Sequence, residues 1–320
     1  MRTKVKRDLF QVAGSIALYA VLLGLIESEA IGAFWQLNMV LICINIILAV
    51  SLNLITGFTG QFSIGHAGFM AVGAYMSAVF TVKLGLPYIS GILAGAGAAA
   101  ILGFAIGLPT LRLKGDYLAI ATLGLGEIIR ITILNIPYVG GASGLMGIPR
   151  HTTFTWAFFL MVLTVLFIKN FINSSHGRAC ISIRENEIAA EAMGVDTTKY
   201  KVVAFTIGAA FAGVAGGLFS HYFYIAHPAS FTFMKSFDIL TMVVLGGMGS
   251  ITGSITTAIL LTYLSAELAS YPEWRMVIYA LLLIVLMIYR PQGLFGNKEL
   301  SFKVFSRLLG GDKHGAAQNK

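Results

Sequence analysis

Ten uninterrupted apolar runs in series constrain this chain more than any other feature. They lie at about 9–26, 36–55, 62–80, 88–108, 117–136, 154–172, 202–225, 238–252, 253–270 and 274–289. A bilayer's hydrocarbon core takes about 20 apolar helical residues to cross. The runs are continuous rather than alternating in short segments, which selects helices over a β-barrel. Charged residues make up 11% of the 320 residues and apolar ones 57%, whereas a soluble domain carries about 25% charged residues. So few charges cannot coat a water-exposed surface of this size, which argues against a soluble enzyme and excludes a disordered chain. The composition and run pattern predict an all-α polytopic membrane protein with about ten transmembrane or re-entrant helices. The runs 62–80 and 238–270 are rich in Gly and read as re-entrant or broken.

The basic start, Arg2, Lys4, Lys6 and Arg7, followed by an apolar run, has the outline of a signal peptide. The run from Leu9 to Ile26 is longer than a usual signal core, and Glu27 and Glu29 crowd the one cleavage site near Ala30. An uncleaved first span is expected. Of the two cysteines, Cys43 lies in an apolar run and Cys180 in a polar loop, so no disulfide scaffold is indicated.

The net charge of +8 would suggest nucleic acid in a soluble protein. Here its placement matters more. With the N-terminus inside and ten alternating spans, seventeen Lys and Arg fall on the inner side and four on the outer, with Arg130 inside a span. That asymmetry predicts both termini in the cytoplasm. The expected organisation is a cytoplasmic N-terminus at 1–8, membrane helices at 9–172, a cytoplasmic loop at 173–201, membrane helices at 202–290 and a cytoplasmic tail at 291–320.

Four GxxxG pairs, Gly91/Gly95, Gly103/Gly107, Gly213/Gly217 and Gly249/Gly253, predict close helix crossings. Catalytic signatures are missing: there is no GxxxxGK[ST], HExxH, CxxC or GxSxG, and the six His residues have no metal-ligand spacing. Glu127 and Arg130 are read as the only deep charges. Their i, i+3 spacing puts them on one helical face, either as a mutually satisfied structural pair or as a polar element of a transport route. A lone carboxylate makes a poor proton relay.

The segment 56–69 mixes glycines with Gln61, Ser63 and His66. These side chains either satisfy freed backbone groups or contact a polar solute, and for His66 the plainer reading is an interhelical hydrogen bond. Residues 245–253 have a similar texture, as if equivalent bends recurred in two halves. The longest polar stretch is 173–201. Within it Ile181, Ile188, Ala192 and Val195 recur at helical spacing among Arg184, Glu185, Glu187 and Glu191. A short helix over 181–194 is expected, stopped by Gly194, with Asp196 or Thr197 capping the next helix. Three acids and the lack of a Trp or Phe edge favour a protein partner over anionic lipid.

Taken together, these residues resemble a known family. GRACISIRENEIAAEAMGVDTTKYKVVAF, TGFTGQFSIGHAGFMAVGAY, RLKGDYLAIATLGLGEIIR, GGASGLMGIP, VLGGMGSITG and YRPQGLFG are similar, in order, to branched-chain amino-acid ABC transporter permeases of the LivM type, over about 40–296. The resemblance implies a type II ABC importer-like permease in a bacterial inner membrane. It implies a LivH-type second permease, two cytoplasmic ATPases that bind ATP-Mg, and an extracytoplasmic substrate-binding protein, with no cofactor held by this chain. Arg184, Glu185, Glu187, Ala190, Glu191 and Gly194 then fall at the ATPase contact. Gln61, Ser63, His66, Glu127 and Arg130 are the candidates for the translocation path. The implied cargo is leucine, isoleucine or valine. Urea, a short amide or another amino acid is the alternative cargo, and an ion-coupled secondary transporter or an intramembrane enzyme the alternative class.

Overall fold

A computed structural model of the chain describes residues 14, 16–17, 19–26, 28, 32–110, 113, 115–290, 293, 294 and 296. The basic residues at 2–7, 112, 114 and 298–320, on which the predicted orientation largely rests, lie outside the described residues. So do the segment 1–8 and most of 291–320.

The described chain is helical almost throughout. The helices are α1 (Ala33–Asn53), α2 (His66–Ala78), α3 (Tyr88–Thr110), α4 (Asp116–Leu134), α5 (Phe154–Ile172), α6 (Ser175–Glu185), α7 (Glu187–Ala192), α8 (Thr197–Phe223), α9 (Phe233–Gly246), α10 (Ile251–Glu267) and α11 (Pro272–Tyr289). Residues 19–26 are also helical. Among the described residues six segments are long and apolar enough to cross a membrane: Ala33–Phe58, Tyr88–Thr110, Asp116–Leu134, Phe154–Ile172, Thr197–Phe223 and Pro228–Gly246. The two Gly-rich runs are indeed the irregular ones. Residues 60–65 are non-helical and α2 starts only at His66, while the second run divides at Gly247–Ser250 into α9 and α10.

Helix α1 is apolar on every side, and such a helix belongs in the middle of a bundle. Its most apolar stretch, within Ala33–Phe58, is 83% buried. It packs against α5, α8, α9 and α10. A second layer forms where α2, α3 and α8 cross. Gly73, Gly95 and Gly213 meet at that crossing. A Cβ on Gly73 would stand 2.2 Å from the Gly213 carbonyl oxygen, and one on Gly95 would stand 2.6 Å from that of Gly73. A Cβ on Gly213 would lie 2.7 Å from the Gly95 carbonyl oxygen. With no hydrophobic force between helices in lipid, such backbone-to-backbone packing supplies the cohesion. The glycine pairs at 91/95 and 213/217 thus act as packing surfaces. In the last pair Gly253 packs on Gly246, but Gly249 sits in the turn with φ +89°.

At one end of the bundle Leu145–Met146 and Ile225–Ala226 form a short antiparallel strand pair. At the other end lie α6 and α7. The expected single helix over 181–194 is corrected to two, because Asn186 is extended (φ −159°, ψ 108°) and its Oδ1 caps α7 by accepting from Ala189 N at 3.0 Å. An Asn side chain that competes for a backbone amide favours a cap over a helix interior. Gly194 does turn the chain, at φ +84°, and Asp196 caps α8 through Lys199 N.

Candidate functional site

The site begins where α1 loosens. Beyond Asn53 the helix widens to i to i+5 bonding over Leu54–Phe58, a local defect that recurs at functional sites in helices. Asn53 is fully buried at this point. Its Nδ2 donates to Ser250 O and Ser254 Oγ, both at 2.9 Å, and its Oδ1 accepts from Gly249 N at 2.9 Å. One side chain therefore fastens the end of α1 to the α9–α10 turn. Gly57 makes this approach possible, since a Cβ there would lie 2.3 Å from Gly249 N. The two Gly-rich segments, singled out for similar texture, are in direct contact.

From Gly60 to Gly65 the chain is non-helical before α2 begins. Ile64 N donates to Thr122 Oγ1 at 3.0 Å, and Ala67 N donates to Ser236 Oγ at 3.0 Å. These bonds tie the break to α4 and α9. His66 is fully buried and bonds Ser51 Oγ of α1 through Nε2 at 2.9 Å, the interhelical bond its plainer reading predicts. Gln61 Nε2 donates to Lys201 O at 3.2 Å. Yet Gln61 Oε1, Ser63 Oγ and His66 Nδ1 are buried without a hydrogen-bond partner among the described residues. Unpaired buried polar atoms are rare, and here three fall within six residues. Water or the polar groups of a passing solute would satisfy them.

Glu127 and Arg130 pair, with Arg130 Nε 2.8 Å from Glu127 Oε2. The other carboxylate oxygen accepts from Phe233 N at 3.1 Å. Phe233 opens α9, so the Glu127 charge sits at the positive end of that helix. The pair is thus mutually satisfied and also joins α4 to α9. The expectation that these are the only deep charges is corrected. Lys235, one of the four basic residues counted on the outer side, lies with Asp238 inside α9. Lys235 Nζ donates to the buried Asn45 of α1 at 3.1 Å, and Asn45 Nδ2 donates to Thr262 of α10 at 2.9 Å.

The polar loop folds back on the same bends. Arg184 Nη1 donates to Gly57 O at 3.0 Å, and its Nη2 holds Glu185 Oε1 at 2.5 Å. A Cβ on Gly60 would stand 3.3 Å from Arg184 Cα. Lys201 Nζ pairs with Glu187 at 2.6 Å. Ala190 is buried, whereas Glu191, Gly194, Ile188 and Met193 are exposed, the last two by 76% and 85%. The face turned inward is therefore Arg184, Glu187 and Ala190, and the outward face is Ile188, Glu191 and Met193. Cys180 packs beneath the loop, where burial pushes its thiol above the usual range against an opposing hydrogen bond from Thr59. Among the described residues no group of three His, Cys, Asp or Glu is placed to hold a metal.

These contacts join the bends of the bundle to the polar loop, and comparison with known proteins places the chain in a family. The model of the branched-chain amino acid transport system permease component matches residues 36–287. The chain belongs to that permease family. It is 36% identical over 305 residues to a high-affinity branched-chain amino acid transport system permease protein LivM of Salmonella typhimurium, covering 84% of this chain and 72% of the relative. The LivM protein of Escherichia coli is 36% identical over 312 residues, covering 87% and 72%. A LivH permease protein of Salmonella typhimurium is 25% identical over 283 residues, covering 79% and 92%. No solved structure matches the chain. The permease is thus a membrane-spanning transport subunit rather than an enzyme.

Asn53, Asn45, Ser236 and Lys235 were not singled out in the sequence. The two asparagines stand in the most apolar run of the chain, and a polar residue inside such a run is the signal that marks them.

Proposed function

We propose that this permease is the LivM-type half of an ATP-driven importer for leucine, isoleucine and valine. A LivH-type permease completes the membrane pore, two ATPases bind ATP-Mg on the cytoplasmic side, and an extracytoplasmic binding protein delivers cargo. Both termini and the 173–201 loop are cytoplasmic in a bacterial inner membrane. The observation that carries this reading is the two-sided loop. Its outward face offers Ile188 and Met193 to a partner groove, while its inward face holds Gly57 through Arg184. A partner that moves the loop therefore moves the bends where α1, α2, α9 and α10 meet. Cargo passes the strip of unsatisfied polar atoms at Gln61, Ser63 and His66. Weak contacts suit this task, because a tight site would trap the cargo.

The test is reconstitution of the permease pair with its ATPases and binding protein in vesicles. ATP-dependent uptake of labelled leucine is expected, with no uptake when this chain is omitted. Uptake driven by a proton or sodium gradient without ATP would overturn the reading in favour of a secondary transporter. Micromolar equilibrium binding of leucine to the permease pair alone would overturn the weak-contact pathway.

A further inference from the structure

An apolar groove of about 550 Å³ runs along α5, between that helix, α1, α10 and Leu22 of the helical segment 19–26. It reaches from Phe154 to Lys169, a rise of about 22 Å at 1.5 Å per residue. Phe158, Val162, Ile46 and Ile255 are among its walls, and apart from Lys169 and Thr252 every lining side chain is apolar. Lys169 ends α5 and Thr252 begins α10. Both polar groups therefore sit at one end of the groove, the end that carries the polar loop.

We propose that this groove is a binding site for one anionic phospholipid. Two of its walls, α1 and α5, are long and apolar enough to cross a membrane, so lipid tails are the local solvent. The long axis of the groove follows α5 and hence the direction of an acyl chain. The single cation lies where a headgroup phosphate would stand, and basic positions between membrane helices select anionic headgroups. The long Lys stem reaches the interface while its methylenes stay in the apolar wall. An ammonium carries three donors, so a phosphate adds to the other contact that Lys169 makes. Thr252 supplies a hydroxyl at the same end of the groove. The groove touches α1 and α10, which Asn53 links at the bends and Asn45 links farther along through Thr262. An occupant would brace the outer side of that joint.

The experiment is native mass spectrometry of the full transporter, washed free of lipid in detergent. Phosphatidylglycerol and phosphatidylethanolamine with identical acyl chains are then added. The expected result is tighter binding of phosphatidylglycerol by about five-fold, the equivalent of about 1 kcal/mol for one basic residue. Lys169→Gln should abolish that preference, and Val162→Trp should remove the bound lipid by filling the groove. Equal binding of the two lipids, or a preference unchanged by Lys169→Gln, overturns the proposal. If Val162→Trp does not assemble, a benzophenone side chain at Val165 decides the occupant. A cross-link to phospholipid supports the site, and a cross-link to a second protein chain overturns it.

Discussion

Arg184 donates from Nη1 to the carbonyl oxygen of Gly57 at 3.0 Å, across 127 positions of sequence. The acceptor lies in the widened turn at the end of α1, where regular α-helical bonding has lapsed. A charged donor thus satisfies a carbonyl left free by the bend, and such bonds are roughly twice as strong as neutral ones. This makes Arg184 a positioning residue between the polar loop and the bends. Arg184→Ala should reduce transport at least about ten-fold while ATPase binding persists, and Arg184→Lys should restore little because it loses the fork that holds Glu185 as well. The check is uptake measured alongside co-purification of the ATPases. Loss of both together would show that Arg184 touches the partner instead.

The outward face of the loop predicts a separate phenotype. Ile188→Asp and Met193→Asp should each weaken ATPase co-purification, because each puts a charge where an apolar groove is expected. The membrane part should stay folded, since both side chains are exposed by 76% or more. Ala190→Trp is a poor probe of docking, because Ala190 is buried and the change would disturb the loop itself. A pull-down with wild-type yield from both aspartate variants would rule out this face as the contact.

The Glu127–Arg130 pair calls for a double-mutant cycle. Glu127→Gln keeps an acceptor for Phe233 N but leaves Arg130 without its counter-ion, and Arg130→Gln leaves the carboxylate to α9 alone. Each single change should impair assembly or transport more than the double change, because one unpaired charge at depth costs more than none. Transport losses that add in the double mutant would assign the two residues separate roles.

Asn53 should be less tolerant than any of these. Asn53→Ala removes three hydrogen bonds and strands Gly249 N in a buried joint, while Ser250 O keeps its bonds from Ser254. The cost is expected to be about 2 kcal/mol or more, read as a lower thermal midpoint of the detergent-purified permease. Asn53→Asp keeps the acceptor for Gly249 N but loses the donor, and should recover only part of it. A midpoint unchanged in Asn53→Ala would remove the joint from the account.

The glycine crossing gives the sharpest steric prediction. Gly73→Val should block assembly, because even a Cβ would sit 2.2 Å from the Gly213 carbonyl oxygen. Gly97→Val, on the same helix as Gly95 but with nothing within 4 Å of its Cβ, is the matched control and should insert normally. Comparable membrane yields of the two variants would refute the crossing.

The sequence by itself determined that this chain crosses a membrane with helices, which runs are broken, and where the long polar loop falls. Those features depend on local composition against a hydrocarbon solvent, so they are written in consecutive residues. Gly194 and Asp196 likewise act on their immediate neighbours, which is why the stop and the cap were legible. Asn186 shows the limit, since its cap competes with a helical pattern that runs through it. Only the tertiary structure decided that Asn53 joins the two Gly-rich bends, that Glu127 closes the start of α9, and that Arg184 faces inward. Each of those contacts links positions about a hundred or more residues apart. An apolar run presents every face alike to a periodicity argument, so the choice of neighbour rests on where small residues let backbones touch and where buried polar groups find partners.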